Sequence, residues 1–352
     1  MSNLNENEKE SSLRDYYYYG FNVYRDHLSI TEPIDFIYHY TTIDAFKSII
    51  GTQKLYATRF DYLNDESERK DIINVLQRVI ESYKNDKPLY DLLKSKELKN
   101  VDSYFSFSRD KDSGLIINRF KKPEVFFISF CQDHDNWLMW NTYVKGDKKE
   151  GIALGFCIDN HKTMDLQSSS IDGKPYSFEV FPVIYDNKEK EQIVKHYLDI
   201  IRKRYTGSED DKIIVDKMLD EIISAYQDRF KDEHFSGEKE VRVAIIQDKD
   251  EQAYPVKYRK NASFLIPYIE FDYIENLLRT SRSQLERIIK NERVINIMID
   301  SQKEEKVEPY ITLSPYSNTK VEVVKDFLEE DKFLLRGENI AESEMHIRKQ
   351  SQ

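Results

Sequence analysis

Val125-Phe126-Phe127-Ile128-Ser129-Phe130-Cys131 is one of the longest apolar runs in the chain. Seven residues rich in aromatic and β-branched side chains, bounded by polar turns, read as a buried strand. One small hydroxyl, Ser129, interrupts it. Gly151–Ile158 is a second run of the same kind, and Phe36-Ile37-Tyr38-His39-Tyr40 and Lys54-Leu55-Tyr56-Ala57 are shorter ones. Further strands are expected at Phe178–Tyr185, where Pro182 implies an edge or bulge, and at Glu240–Ile246, Phe264–Ile269, Val294–Ile299 and Pro309–Leu313. Between the first two short strands, Thr41-Thr42-Ile43-Asp44 supplies a hydroxyl cap. Ala45, Phe46, Ile49 and Ile50 follow at helical spacing, and Gly51 is expected to stop the helix.

Asp61–Asp65 leads into a longer helix with the stripe Ile72, Ile73, Val75, Leu76, Val79, Ile80 and Tyr83. From 188 to 231 two more stripes, Ile193 to Ile201 and Ile214 to Phe230, flank the turn Thr206-Gly207-Ser208. Val321–Phe327 starts a last helix or strand. Without regular strand–helix–strand alternation, the pattern is α+β: one large mixed-sheet domain with flanking helices over 31–336, with a helical-hairpin insertion at about 188–231. A partly disordered N-terminal arm, 1–30, precedes it, and a polar tail, 337–352, follows it.

The balance of 53 basic and 64 acidic residues, 53 − 64 = −11, argues against a generic polyanion binder, which shows a basic face. Aromatic residues make up 13% of the chain, which a disordered sequence lacks. Two cysteines, Cys131 and Cys157, are too few for a disulfide scaffold or a four-thiolate zinc site. The polar stretch Met1–Ser12 has no apolar core of a signal peptide, and no apolar run approaches the roughly 20 residues that span a bilayer. The expectation is a cytoplasmic protein with no membrane partner, and its oligomeric state is open.

No loud motif is present: no glycine-rich nucleotide fingerprint, no phosphate loop, no nucleophile elbow and no zinc-protease helix. Five local clusters stand out. Tyr38–Thr42 lies where a strand meets a helix N-terminus, which brings a ring nitrogen, hydroxyls and unpaired amides to one place. Asn64–Glu68 opens a helix, and Ile128–Cys131 carries Ser129. Trp137–Tyr143 holds the two tryptophans at i, i+3 on one helical face and precedes Gly151–Phe156. Gly237–Arg242 leads from a turn into a strand, with Glu238, Glu240 and Arg242 expected on one face. Each has an ordinary structural explanation: a core histidine, caps and first-turn acids, packing tryptophans, and an ion pair along a strand.

In this order the clusters resemble a bacterial family known only as domain of unknown function 2971. The matching pieces are Tyr38–Thr41, Asn64–Glu68, Ser129–Phe130, Met139–Phe156, Glu238–Arg242 and Val294–Ile299, spanning roughly 36 to 315. Asp300-Ser301 departs from the expected turn. More distantly the set looks like the ADP-ribosyltransferase superfamily. That resemblance implies NAD as substrate, with no metal. It places His39 at the ribose, with Tyr40 and Thr41 beside it, and Ser129 at the pocket wall. Tyr56 or Tyr62 would stack on nicotinamide, and Arg59 or Arg242 would meet the pyrophosphate. Glu240, helped by Glu238, would be catalytic, because a carboxylate that opposes a developing ribose cation acts mostly on the transition state.

The leading expectation is thus an ADP-ribosyltransferase or NAD glycohydrolase acting on an unknown protein or nucleic-acid acceptor, as a toxin or phage-defence effector. The alternative is a non-catalytic nucleotide- or protein-binding sensor module of a defence system. A metal-dependent nuclease built on Asp65, Glu68, Glu238 and Glu240 ranks third, because the chain is acidic.

Overall fold

The computed structural model describes residues 36–63, 69–101, 105–110, 114–144, 150–158, 167–207, 209–261, 264–273, 310–330 and 340–345. The motif Asn64–Glu68, the strand Val294–Ile299 and the arm 1–30 lie outside them. The class is α+β. Internal contacts divide the described residues into two compact units, one within 63–123 and 182–236 and one within 36–62, 124–181 and 237–345.

The larger unit is built on an open mixed sheet. Its described strands are β1 (Phe36–Thr42), β2 (Lys54–Arg59), β5 (Pro123–Cys131), β6 (Gly151–Cys157), β7 (Gln167–Ile171), β8 (Lys174–Pro182), β9 (Glu240–Asp248), β10 (Lys257–Asn261), β11 (Phe264–Asp272), β12 (Ile311–Leu313) and β13 (Ile340–Glu342). The main path runs β10-β11-β2-β5-β1-β6-β12-β13, and β9 joins β5 to the β8–β7 pair. All pairings with a defined register are antiparallel except β12 with β13.

Alternation sorts the side chains onto two faces. Ile37, Leu55, Ala57, Phe126, Ile128, Phe130, Val241, Val243 and Ile269 enter one core. It is covered by α1 (Ile43–Thr52), through Phe46, Ile49 and Ile50, and by α7 (Val321–Glu330), through Val324 and Leu328. Tyr38, Tyr40 and Cys131, on the other face, meet Met139 and Trp140 of α4 (Trp137–Tyr143).

Three details depart from expectation, and one choice left open, helix or strand at 321–327, resolves to helix. The α1 cap is Thr42, whose Oγ1 accepts from the Ala45 amide at 3.3 Å, but the helix passes Gly51 and ends at Gln53, which is left-handed at φ 58°. The tryptophans differ: Trp140 is 0% exposed and Trp137 51%. Residues 321–330 form a helix. Within the expected C-terminal tail, β13 adds to the sheet, and Asp135 holds it by accepting from Ser343 Oγ and the Glu344 amide.

The smaller unit contains α2 (Asp71–Ile80), α3 (Lys87–Lys94), the hairpin β3–β4 (Phe105–Asp110 with Gly114–Arg119), α5 (Asn187–Arg204) and α6 (Glu209–Tyr226). The expected hairpin at 188–231 is α5 and α6. It shares one core with α2 and α3, through Ile72, Val75, Leu76, Leu89, Val194, Leu198 and Ile222. Two ion pairs stitch this unit, the buried Arg69 with Asp228 at 2.6 Å and the buried Lys190 with the half-buried Asp71 at 2.5 Å. Among the described residues no helix is long and apolar enough to cross a membrane.

Candidate functional site

Strand β5 organises the larger unit because it has three partners, β1, β2 and β9, and only two edges. The Ser129 carbonyl accepts from His39 of β1, while the Gln132 amide donates to the Lys239 carbonyl at the start of β9. In extended backbone, residues three apart point to opposite edges, so β1 and β9 flank β5. Arg242 of β9 lies over Phe127 at 5.4 Å, so β9 also runs beside the segment that pairs with β2. Strands β1 and β2 therefore share one edge. β1 meets it at Cys131, and β2 meets it at Phe126 and Phe127. They part around Ile128–Phe130, and the ladder has a notch there. Along 124–131 the other residues are buried and Ser129 alone is partly exposed.

His39 stands at this notch. Its register partner Leu154 and its ring neighbour Phe130 belong to the main core, so its side chain starts on the face opposite Tyr38 and Tyr40. Its Nδ1–H donates to the Ser129 carbonyl at 3.2 Å, which leaves Nε2 as the acceptor in the neutral ring. Burial, and secondarily the charge of Arg259, lowers the imidazole pKa against the opposing effect of the Ser129 carbonyl.

On the other face Ser129 Oγ donates to Glu240 Oε1 at 2.6 Å. The same carboxylate accepts from Arg242 Nε at 2.8 Å and Nη2 at 3.0 Å, a bidentate pair. Glu240 is 4% exposed and Arg242 2%. The expected common face of Glu238, Glu240 and Arg242 is corrected here. Glu238 ends a 3₁₀ turn, Glu233–Glu238, and Lys239 is left-handed at φ 44°, so the strand begins at Glu240. Glu238 instead accepts from the Tyr143 hydroxyl at 3.5 Å.

The remaining expected residues divide. Tyr40 donates to the Asp133 carbonyl and accepts from the Asn136 amide, both at 2.8 Å, and meets Trp140 edge-on, so it fastens the turn before α4. Burial first, then the neighbouring acidic groups, drives its hydroxyl pKa far upward. Thr41 is buried. Arg59 is held bidentately by Asp61, faces Glu124 at 3.7 Å and lies over Tyr62. Tyr56 is 42% exposed and packs on Tyr268 with ring centres 4.4 Å apart.

Three further residues join Tyr56 on this face: Thr58, Tyr268 and Arg259, whose Nη2 donates to Thr58 Oγ1 at 2.9 Å. Nothing local in Lys257-Tyr258-Arg259-Lys260 singles out Arg259. Only the pairing of β2, β10 and β11 brings it over Tyr268. Among the described residues no cluster of three or more histidine, cysteine or acidic side chains has the form of a metal site. Burial raises the Cys131 thiol to about 12, so it is no nucleophile.

A family model described as "Protein of unknown function (DUF2971)" matches residues 139–243, from within α4 to the middle of β9. No curated protein and no solved structure matches the chain.

Proposed function

We propose that this chain is a nucleotide-binding sensor module, with its ligand seated at the notch between β1 and β2, and that it is not an NAD-cleaving transferase. The observation that carries the binding reading is the notch itself. A sheet strand whose neighbours part leaves hydrogen-bonding groups open to a ligand, and His39 and Ser129 are the partly exposed residues there. The state of Glu240 favours binding over catalysis. A carboxylate that stabilises a ribose cation must have charge available for it, and here a buried guanidinium and a hydroxyl already occupy that charge.

The test is calorimetric titration of the purified chain with NAD, ADP and adenosine, paired with an assay for nicotinamide release from labelled NAD. Saturable one-to-one binding of a nucleotide, weakened by His39→Ala and without nicotinamide release, supports the module. Failure of all three ligands to bind sinks it. Nicotinamide release that Glu240→Gln abolishes while the variant remains folded restores the transferase.

A further inference from the structure

We infer that Arg259, Tyr268, Tyr56 and Thr58 form the phosphate-and-ring subsite of this module, with Arg259 taking the phosphate and the tyrosine pair taking the planar base. The inference rests on the nucleotide-binding reading and deepens it. Cations on this face of the sheet are paired with carboxylates, with one exception among the described residues. Lys54 and Lys257 share Glu270, at 4.0 and 2.8 Å, and Arg242 is held by Glu240. Arg259 has no carboxylate within ion-pair distance among the described residues. It donates to a neutral hydroxyl, Thr58 Oγ1, and lies 5.8 Å over the Tyr268 ring.

A guanidinium stays charged at any physiological pH. Here it is partly desolvated, which lowers its pKa without a carboxylate to offset the effect. That environment favours an anion with two oxygens in one plane, as a phosphate offers.

The second half of the subsite is aromatic. Tyr56 and Tyr268 stand next to each other on adjacent strands, where Thr58 pairs with Tyr268 and Tyr56 with Glu270. Their rings are tilted by 36°, and Tyr56 is the more exposed. Stacking on such a ring accepts any flat base, because every base presents a π-face. One ligand that carries a base and a phosphate therefore meets the tyrosine pair and the arginine together, on the sheet face that also carries the Ser129 and Glu240 side chains.

Calorimetry with ADP, adenosine and inorganic pyrophosphate, on wild type, Arg259→Gln and Tyr56→Ala, tests this. Both side chains are exposed, so unchanged melting temperatures are expected and serve as the control for folding. Arg259→Gln should weaken ADP roughly 10- to 100-fold, the range for losing a charge-assisted hydrogen bond, and leave adenosine unchanged. Tyr56→Ala should weaken both ADP and adenosine. Wild type that binds neither ADP nor adenosine overturns the subsite, and if NAD also fails to bind the module falls with it. ADP that binds wild type and Arg259→Gln equally overturns the subsite and leaves the module standing. Pyrophosphate that binds as tightly as ADP, with no effect of Tyr56→Ala, overturns the base half of the inference.

Discussion

At the scale of single residues, the most informative group is Glu240, because two readings of it predict different failures. Buried with Arg242 in a bidentate pair, it is a structural charge. Removing one member of such a pair strands the other, at a typical cost of about 3–5 kcal/mol, whereas replacing both by apolar groups is often neutral. Glu240→Gln should therefore lower stability in urea denaturation by about that amount, and Glu240→Leu with Arg242→Met should recover most of it. A folded, equally stable Glu240→Gln would contradict this and return Glu240 to the chemistry. His39 gives a second prediction. Its pKa is depressed in the folded state, chiefly by burial and then by Arg259, so the unfolded chain takes up the proton first. The His39 contribution is intact above about 6.5, the unfolded value, and is lost as pH falls below that toward the folded pKa. Urea midpoints of wild type should drop between pH 7.5 and 5.5 by more than those of His39→Gln, and parallel curves would show that the ring is not desolvated. Ser129, Glu240 and Arg242 were legible in the sequence as unusual residues at strand positions. Their joint network was not, because Ser129 and Glu240 are 111 residues apart and only strand pairing brings them together. Arg259 was missed for the same reason: within its run of basic residues it looks like the solvated face of an edge strand.

At the scale of elements, Gly151 explains part of the motif that leads into β6. A Cβ there would lie 2.5 Å from Val144 Cγ1 and 2.6 Å from the Thr41 carbonyl oxygen. The oxygen belongs to β1, which is fixed in register against β6 with Thr42 opposite Gly151, so it cannot yield. Overpacking of this kind costs roughly 1–3 kcal/mol, and Gly151→Ala should show that loss in thermal or urea unfolding. An unchanged stability would mean that the end of β6 is free to shift. The strands themselves were easy to find, since aromatic and β-branched runs such as 36–40 and 125–131 leave little choice. Two things were hidden. Nothing in the residues says that β1 and β2 share an edge of β5, because both have the same apolar alternation. Nor does Lys239 announce a left-handed turn, the position where glycine or asparagine would be the usual signal. The assumed alternation from Glu238 through Arg242 fails at that residue.

At the scale of the whole molecule, the chain builds two compact units from interleaved segments, and this decides what the α5–α6 excursion can be removed from. Its ends are tied together: the Ile184 amide donates to the Arg229 carbonyl at 2.8 Å, and the Lys231 amide donates to the Ile184 carbonyl at 3.2 Å. Residues 186–228 are thus replaceable by a short glycine–serine linker without stretching the chain. Among the described residues, the apolar cores of the sheet unit draw none from that segment. The core of the smaller unit does, since Val194, Leu198, Ile201, Leu219 and Ile222 pack with Ile72, Val75, Leu76 and Val79. The deletion also removes Lys190 from Asp71 and Asp228 from Arg69. It leaves a buried apolar stripe in water at about 25 cal/mol per Å² exposed, and it strands Arg69, which was buried. Short amphipathic helices such as α2 and α3 do not persist without a partner face. Hydrogen exchange on the deleted chain should therefore show β1, β5, β6 and β9 protected as in the full-length protein, and amides over 69–101 exchanging as an unfolded segment. Protection retained over 69–101 would mean that α2 and α3 fold without the hairpin. Loss of protection in β5 and β9 would mean that the sheet depends on it, and that the two units fold as one.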